Sequence, residues 1–153
     1  MQDNRLPPIE DLLPHRGTML LLERVLAFTP TETRTETTPN PLAWYADTQG
    51  NMPAWIGIEL MAQTIAAHVG LQKRRLNHPP KQGVLLGTRH YHCTPPSFAG
   101  GQTLYIHAAL IYQDESGLAA YQCHITQQDK VPIAHAALKV FEPTDFQVFH
   151  QGN

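Results

Sequence analysis

Apolar and polar positions change their spacing along the chain, and the changes mark the elements. Pro7-Pro8 begins a short helical turn over residues 9–13, which Pro14 ends, because proline suits a first turn and blocks a helix interior. Residues 18–28 are strongly apolar (Met19, Leu20, Leu21, Leu22, Val25, Leu26) and fit a buried strand or helix equally. Over 31–38 threonine alternates with Glu32, Arg34 and Glu36, the period of a strand with one solvated face. Residues 39–51 form a loop by their Pro, Asn, Asp and Gly content. From 53 to 75 the pattern becomes helical. Pro53 suits the first turn, while Lys73, Arg74 and Arg75 suit the negative end of a helix ~33 Å long. Its apolar residues (Trp55, Ile56, Ile58, Leu60, Met61, Ile65, Val69, Leu71) cover most of the circumference, which predicts burial on most sides. A turn follows at 77–82, then strands over 83–92, 103–112, 117–128 and 131–141, with a loosely ordered tail from 142. Short connections among the last three strands require antiparallel neighbours. The expected fold class is therefore α+β: an antiparallel sheet wrapped around one long central helix.

The length of 153 residues, with 42% hydrophobic and 16% charged residues, suits a single globular domain over 1–153 with its core at about 8–141. A net charge of −2 predicts no attraction to nucleic acid or an anionic membrane. Cys93 and Cys123 match no metal-ligand spacing and read as reduced thiols of a cytosolic protein. Residues 1–8 have no secretory apolar region, and no run approaches the ~20 apolar residues of a membrane span. These features predict a cytoplasmic protein with no membrane span.

Three segments carry a resemblance. Leu13-Pro14-His15-Arg16-Gly17-Thr18-Met19-Leu20-Leu21-Leu22-Glu23-Arg24-Val25 resembles LPHRxPxLLxDRV, Met52-Pro53-Ala54-Trp55-Ile56-Gly57-Ile58-Glu59-Leu60-Met61-Ala62-Gln63 resembles MPGxLxxEAxAQ, and Phe98-Ala99-Gly100-Gly101-Gln102-Thr103-Leu104 is similar to a PGDxL turn. All three belong to the 3-hydroxyacyl-[acyl-carrier-protein] dehydratases of the FabA/FabZ type. Pro53-Ala54-Trp55, Ala66-Ala67-His68 and Gly87-Thr88-Arg89 resemble most the ApeP-like dehydratases of aryl-polyene clusters. The resemblance implies a hotdog fold, a dimer, and dehydration of a 3-hydroxyacyl group carried on the phosphopantetheine of an acyl carrier protein, with no other cofactor. It also implies a site shared by two chains, in which a loop histidine removes the α-proton and a helix carboxylate delivers a proton to the hydroxyl.

Glu59 falls on the helix carboxylate, and Ala54 stands where the family has a glycine whose N–H holds the thioester oxygen. No histidine occurs between His15 and His68, and Tyr45 occupies the position of the loop histidine. Glu59 lies in an apolar run, where burial would raise its pKa toward neutrality. Gln63, four residues on, shares its helical face and is a candidate substrate-binding residue. The Ala54 and Trp55 backbone donors gain from the helix N-terminus, which favours a developing oxyanion. His15, Tyr45 and Asp47 are candidates for the missing base, although a tyrosine with pKa near ~10 accepts an α-proton poorly. His68 lies ~180° around the helix from Glu59 and reads as structural. His90 and His92 share a strand face without a third ligand, so no metal site is expected. Lys73, Arg74 and Arg75 would attract a phosphopantetheine or an acidic carrier protein. The leading expectation is a dehydratase. The alternatives are a hotdog thioesterase and a non-catalytic acyl-binding subunit paired with an active hotdog partner, in a homodimer or a heterodimer.

Overall fold

The computed structural model describes residues 6–78, 83–128 and 131–142. The expectations for the N-terminal residues 1–5, the Pro79-Pro80 turn with Lys81, the Asp129-Lys130 turn and the tail 143–153 lie outside the described residues. Strands β1 (Arg24–Thr29) and β2 (Glu32–Thr37) come first, then the short β3 (Met52–Pro53) and helix α1 (Ile56–Arg75). Strands β4 (Val84–Cys93), β5 (Ser97–Phe98), β6 (Leu104–Gln113), β7 (Leu118–Thr126) and β8 (Ala134–Phe141) follow. Six of the strands form one sheet in the order β1-β2-β6-β7-β8-β4, and every pairing within it is antiparallel. No helix of the described residues is long and apolar enough to cross a membrane.

Alternation explains the sheet. In β6, Leu104, Ile106 and Ala108 point inward and are fully buried, as Cys123 and Ile125 are in β7 and Leu138 in β8. Helix α1 lays Leu60, Met61 and Ile65 against them. The apolar run 18–28 divides: a short 3₁₀ turn at Gly17–Met19 precedes extended chain, and only Arg24–Thr29 joins the sheet.

Strand β2 is unusual because its inward face is threonine. Thr33, Thr35 and Thr37 are buried, so each hydroxyl must find a partner. Thr33 Oγ1 meets His68 Nδ1 at 2.6 Å, Thr35 Oγ1 meets Thr64 Oγ1 at 2.8 Å, and Thr37 Oγ1 donates to the Leu21 carbonyl at 2.6 Å. His68 also packs between Phe28 and Tyr121, and burial holds its imidazole down at about 4. A polar seam thus joins α1 and the 19–21 segment to β2.

The helix begins under constraint. Met52 and Pro53 pair with Phe98 and Ser97. The Tyr91 hydroxyl donates a short hydrogen bond to the Ala54 carbonyl, and a Cβ at Gly57 would collide with that hydroxyl. Gly57 is therefore required by Tyr91. In β4 the alternation expected of His90 and His92 fails, because the register shifts between Arg89 and His92 and His90 takes φ 58°. His92 instead lies beside His135, ring centroids 5.5 Å apart, and no group of three or more metal ligands forms among the described residues.

Candidate active site

The segment before β1 delivers a histidine to the helix. Arg16 folds its guanidinium back onto the carbonyls of Leu13 (2.6 Å) and His15 (2.7 Å). Gly17 then takes φ 59°, a left-handed conformation open to glycine. The turn sets His15 Nε2 at 3.6 Å from Glu59 Oε1, an ion-pair distance when the imidazole is protonated. Both residues belong to one chain.

The Glu59 carboxylate is held from below. Gln63 is wholly buried; its Nε2 donates to Glu59 Oε1 at 3.0 Å and to the Met19 carbonyl at 2.9 Å, while its Oε1 accepts the Leu21 N–H at 3.0 Å. Both amide hydrogens are committed, so Gln63 has none left for a ligand. It holds the Glu59 carboxylate and lines the cavity beside it. The burial expected of Glu59 does not hold, because its side chain is 42% exposed and faces a cavity.

Of the two backbone donors expected at the first turn, one is engaged. The Ala54 N–H already donates to the Pro96 carbonyl at 3.1 Å, and the Gly57 N–H to the Ala54 carbonyl at 3.0 Å. Ala54 is therefore not the free donor that its motif position predicts. The Trp55 N–H, one residue on, has no backbone acceptor among the described residues, and its indole is exposed.

Tyr45 and Asp47 hold the preceding loop. The Tyr45 hydroxyl accepts the Asn40 N–H at 2.9 Å, and Asp47 Oδ1 accepts the N–H groups of Gln49 and Asn51 at 2.9 Å each. Neither lines the cavity that holds Glu59. That cavity, of about 390 Å³, follows α1 from His15 and Glu59 past Ala62, Ala66 and Val69, with Leu85 of β4 and Val140 of β8 opposite.

The basic cluster at the end of α1 divides. Lys73 is drawn in to Glu142, Nζ to Oε1 3.0 Å, with side chains only 24% and 14% exposed, so it is not the free cation expected for a carrier protein. Arg74 and Arg75 are exposed. Sequence reasoning missed the Tyr91–Gly57 contact and the role of Glu142, because neither residue lies in a motif. It could have found the restraint on Glu59, since Gln63 at i+4 marks a shared face. Cys93 and Cys123 are free thiols, and burial pushes Cys123 up to about 12.

A family model described as the ApeP-like dehydratases matches residues 7–151. No curated protein matches the chain at the level of sequence. Among solved structures, the dehydratase heterocomplex ApeI:P from Xenorhabdus doucetiae is similar, with a TM-score of 0.86 and 27% identity, covering 97% of this chain and 99% of that one. A hypothetical thioesterase with coenzyme A from Streptococcus pneumoniae (TM-score 0.60, 16% identity, 78% and 86% covered) shares the fold alone. So does zebra fish thioesterase superfamily member 2 (0.66, 14%, 88% and 92%).

Proposed function

The chain belongs to the ApeP-like dehydratase family, and from that premise we propose that it dehydrates 3-hydroxyacyl thioesters presented by an acyl carrier protein. The observation that carries this reading is the apposition of His15 and Glu59 at one end of an apolar-walled cavity. An imidazole and a carboxylate in that apposition supply a general acid and a general base to one substrate. As the ion pair, Glu59 is the base and His15 the acid. The carboxylate takes a proton from C2 of the acyl group, the C2–C3 double bond forms, and the C3 hydroxyl leaves with the His15 proton as water. Transfer of the captured proton from Glu59 to His15, across the gap that measures 3.6 Å at rest, restores the pair. The Trp55 N–H, aided by the helix N-terminus, polarises the thioester carbonyl while charge develops on its oxygen. Arg74 and Arg75 supply the exposed positive charge that an acidic carrier protein would meet.

The functional unit is a pair of hotdog chains. Among the described residues strand β4 has a neighbour on one side only, and it exposes Val84, Leu85 and Leu86. An apolar unpaired edge of this kind invites a strand from another chain. The assembly of the similar ApeI:P complex supports a second hotdog subunit as that occupant.

The test is intact-mass analysis of a 3-hydroxyacyl carrier protein incubated with the full chain, alone and with its hotdog partner. Loss of water is expected. Release of free carrier would instead identify a thioesterase, and an unchanged acyl carrier in both mixtures a non-catalytic subunit. Glu59→Gln and His15→Ala should each lower the dehydration rate by about 10²–10⁴-fold, the range of a lost acid or base. A Glu59→Gln protein at full rate would remove the assignment.

A further inference from the structure

One ion pair contributes a residue to the cavity wall. From Glu59 the cavity follows the helix through Ala62, Ala66 and Val69 to Gly70, small or apolar positions that leave a smooth wall. Gly70 is the last residue of α1 in the lining, and Glu142, which Lys73 on the next part of the helix holds at 3.0 Å, lines the cavity as well. Both side chains are mostly shielded from water, unlike Arg74 and Arg75 on the same helical turn. A shielded ion pair is costly to separate, because removing one partner's contact leaves an uncompensated charge. It is therefore a hard boundary for a methyl terminus.

We infer that the Lys73–Glu142 pair is the end-stop of an acyl channel and limits this chain to thioesters of about sixteen carbons. The inference rests on the reading of the cavity as the acyl site. The eleven-residue advance from Glu59 to Gly70 spans about 16 Å at ~1.5 Å per residue. A zigzag chain built from bonds of ~1.5 Å advances about 1.25 Å per carbon, so roughly thirteen carbons follow C3, which stands at Glu59, and an acyl group of about sixteen carbons fills the channel. Up to that length each added methylene leaves water for an apolar wall. Past it the chain meets the ion pair, and a further methylene either bends back or displaces Glu142.

The measurement is calorimetric binding of saturated acyl pantetheine thioesters, from decanoyl to icosanoyl, to the full chain in its natural assembly. Affinity should rise about fourfold per methylene as far as about hexadecanoyl and then level off or fall. In the double variant Lys73→Met/Glu142→Leu, which removes both charges together, the rise should continue to icosanoyl. Lys73→Arg keeps the pair and should keep the plateau. A parent whose affinity still climbs at icosanoyl, or a double variant with the parent's plateau, would overturn the end-stop. Neither result bears on the Glu59 assignment, which is read from loss of water. Absence of binding at every length would overturn the channel itself, including the case in which a second subunit's side chains fill the cavity.

Discussion

Replacing Gln63 by leucine is the sharpest perturbation of this molecule, because one amide bonds both the 19–21 segment and the Glu59 carboxylate. The substitution nearly preserves shape. It leaves the Leu21 N–H and the Met19 carbonyl without the partners they had at 3.0 and 2.9 Å. A buried polar group stripped of its partner costs about 1–3 kcal/mol. Met19 is an exposed residue whose carbonyl can turn to water, so its share sits at the low end. Leucine returns part of the loss as apolar burial, and the net expectation is a destabilisation of about 2–3 kcal/mol. In a chain of 153 residues that lowers the melting temperature by roughly 4–12 °C. Scanning calorimetry reads the shift, and a double-variant cycle with Glu59→Gln reads the coupling, expected at about 1 kcal/mol for residues in direct contact. A Gln63→Leu protein melting within about 2 °C of the parent would refute the reasoning, since it would mean that water replaces the amide without loss.

Two further outcomes follow from the buried groups. The His68 ring stays neutral in the fold down to about 4, against 6.5 for the free side chain, so the native state resists a proton that the unfolded chain accepts. The stability this confers is complete above pH 6.5 and is withdrawn as the pH falls from 6.5 toward about 4, by up to ~3 kcal/mol. His68→Gln should flatten the fall of melting temperature over that window, and equal slopes in parent and variant would contradict the assignment. Gly57→Ala places a methyl group against the Tyr91 hydroxyl and should cost about 1–3 kcal/mol as overpacking. Adding Tyr91→Phe, which removes that hydroxyl, should recover part of the loss in a denaturant titration.

How much of this was legible in the sequence depended on whether a residue's role was local. Periodicity located α1 and the strands after it, because alternation and helical spacing are imposed by the core each element faces. The strand alternation of 31–38 was also legible, with Glu32, Arg34 and Glu36 on its solvated face, but not what the threonines opposite would meet. Their partners across the seam (His68, Thr64 and the Leu21 carbonyl) come from distant parts of the chain. Glu59 stood out by motif. That His15 reaches it did not follow from spacing, because the turn depends on Arg16 folding back onto two carbonyls. That the Ala54 N–H is already engaged was not legible, because pairing of Met52 and Pro53 with β5 continues one residue further, to Pro96. The fate of Lys73 was hidden for a similar reason: its partner, Glu142, is distant in sequence.

The polar seam explains why the His15–Glu59 geometry can be fixed within one chain. An interface of leucines alone lets a helix slide or rotate slightly at little cost, because apolar contact is not directional. Here α1 is keyed at three depths. Gln63 binds the 19–21 segment, Thr64 meets Thr35, and His68 meets Thr33 one turn further on. A small rotation would break several of these buried bonds at once, so the helix has one rotational setting. The same Gln63 amide that reads this setting holds the Glu59 carboxylate, and the segment it binds follows directly on the turn that presents His15. Placement of the pair is thereby coupled to burial of the seam. Loss of a remote member, as in Thr35→Val beneath Thr64, should lower turnover more than it lowers affinity for the acyl chain. The comparison of kcat with binding of dodecanoyl pantetheine decides it: equal losses in both would mean that the seam supports the fold alone and leaves the pair unaligned.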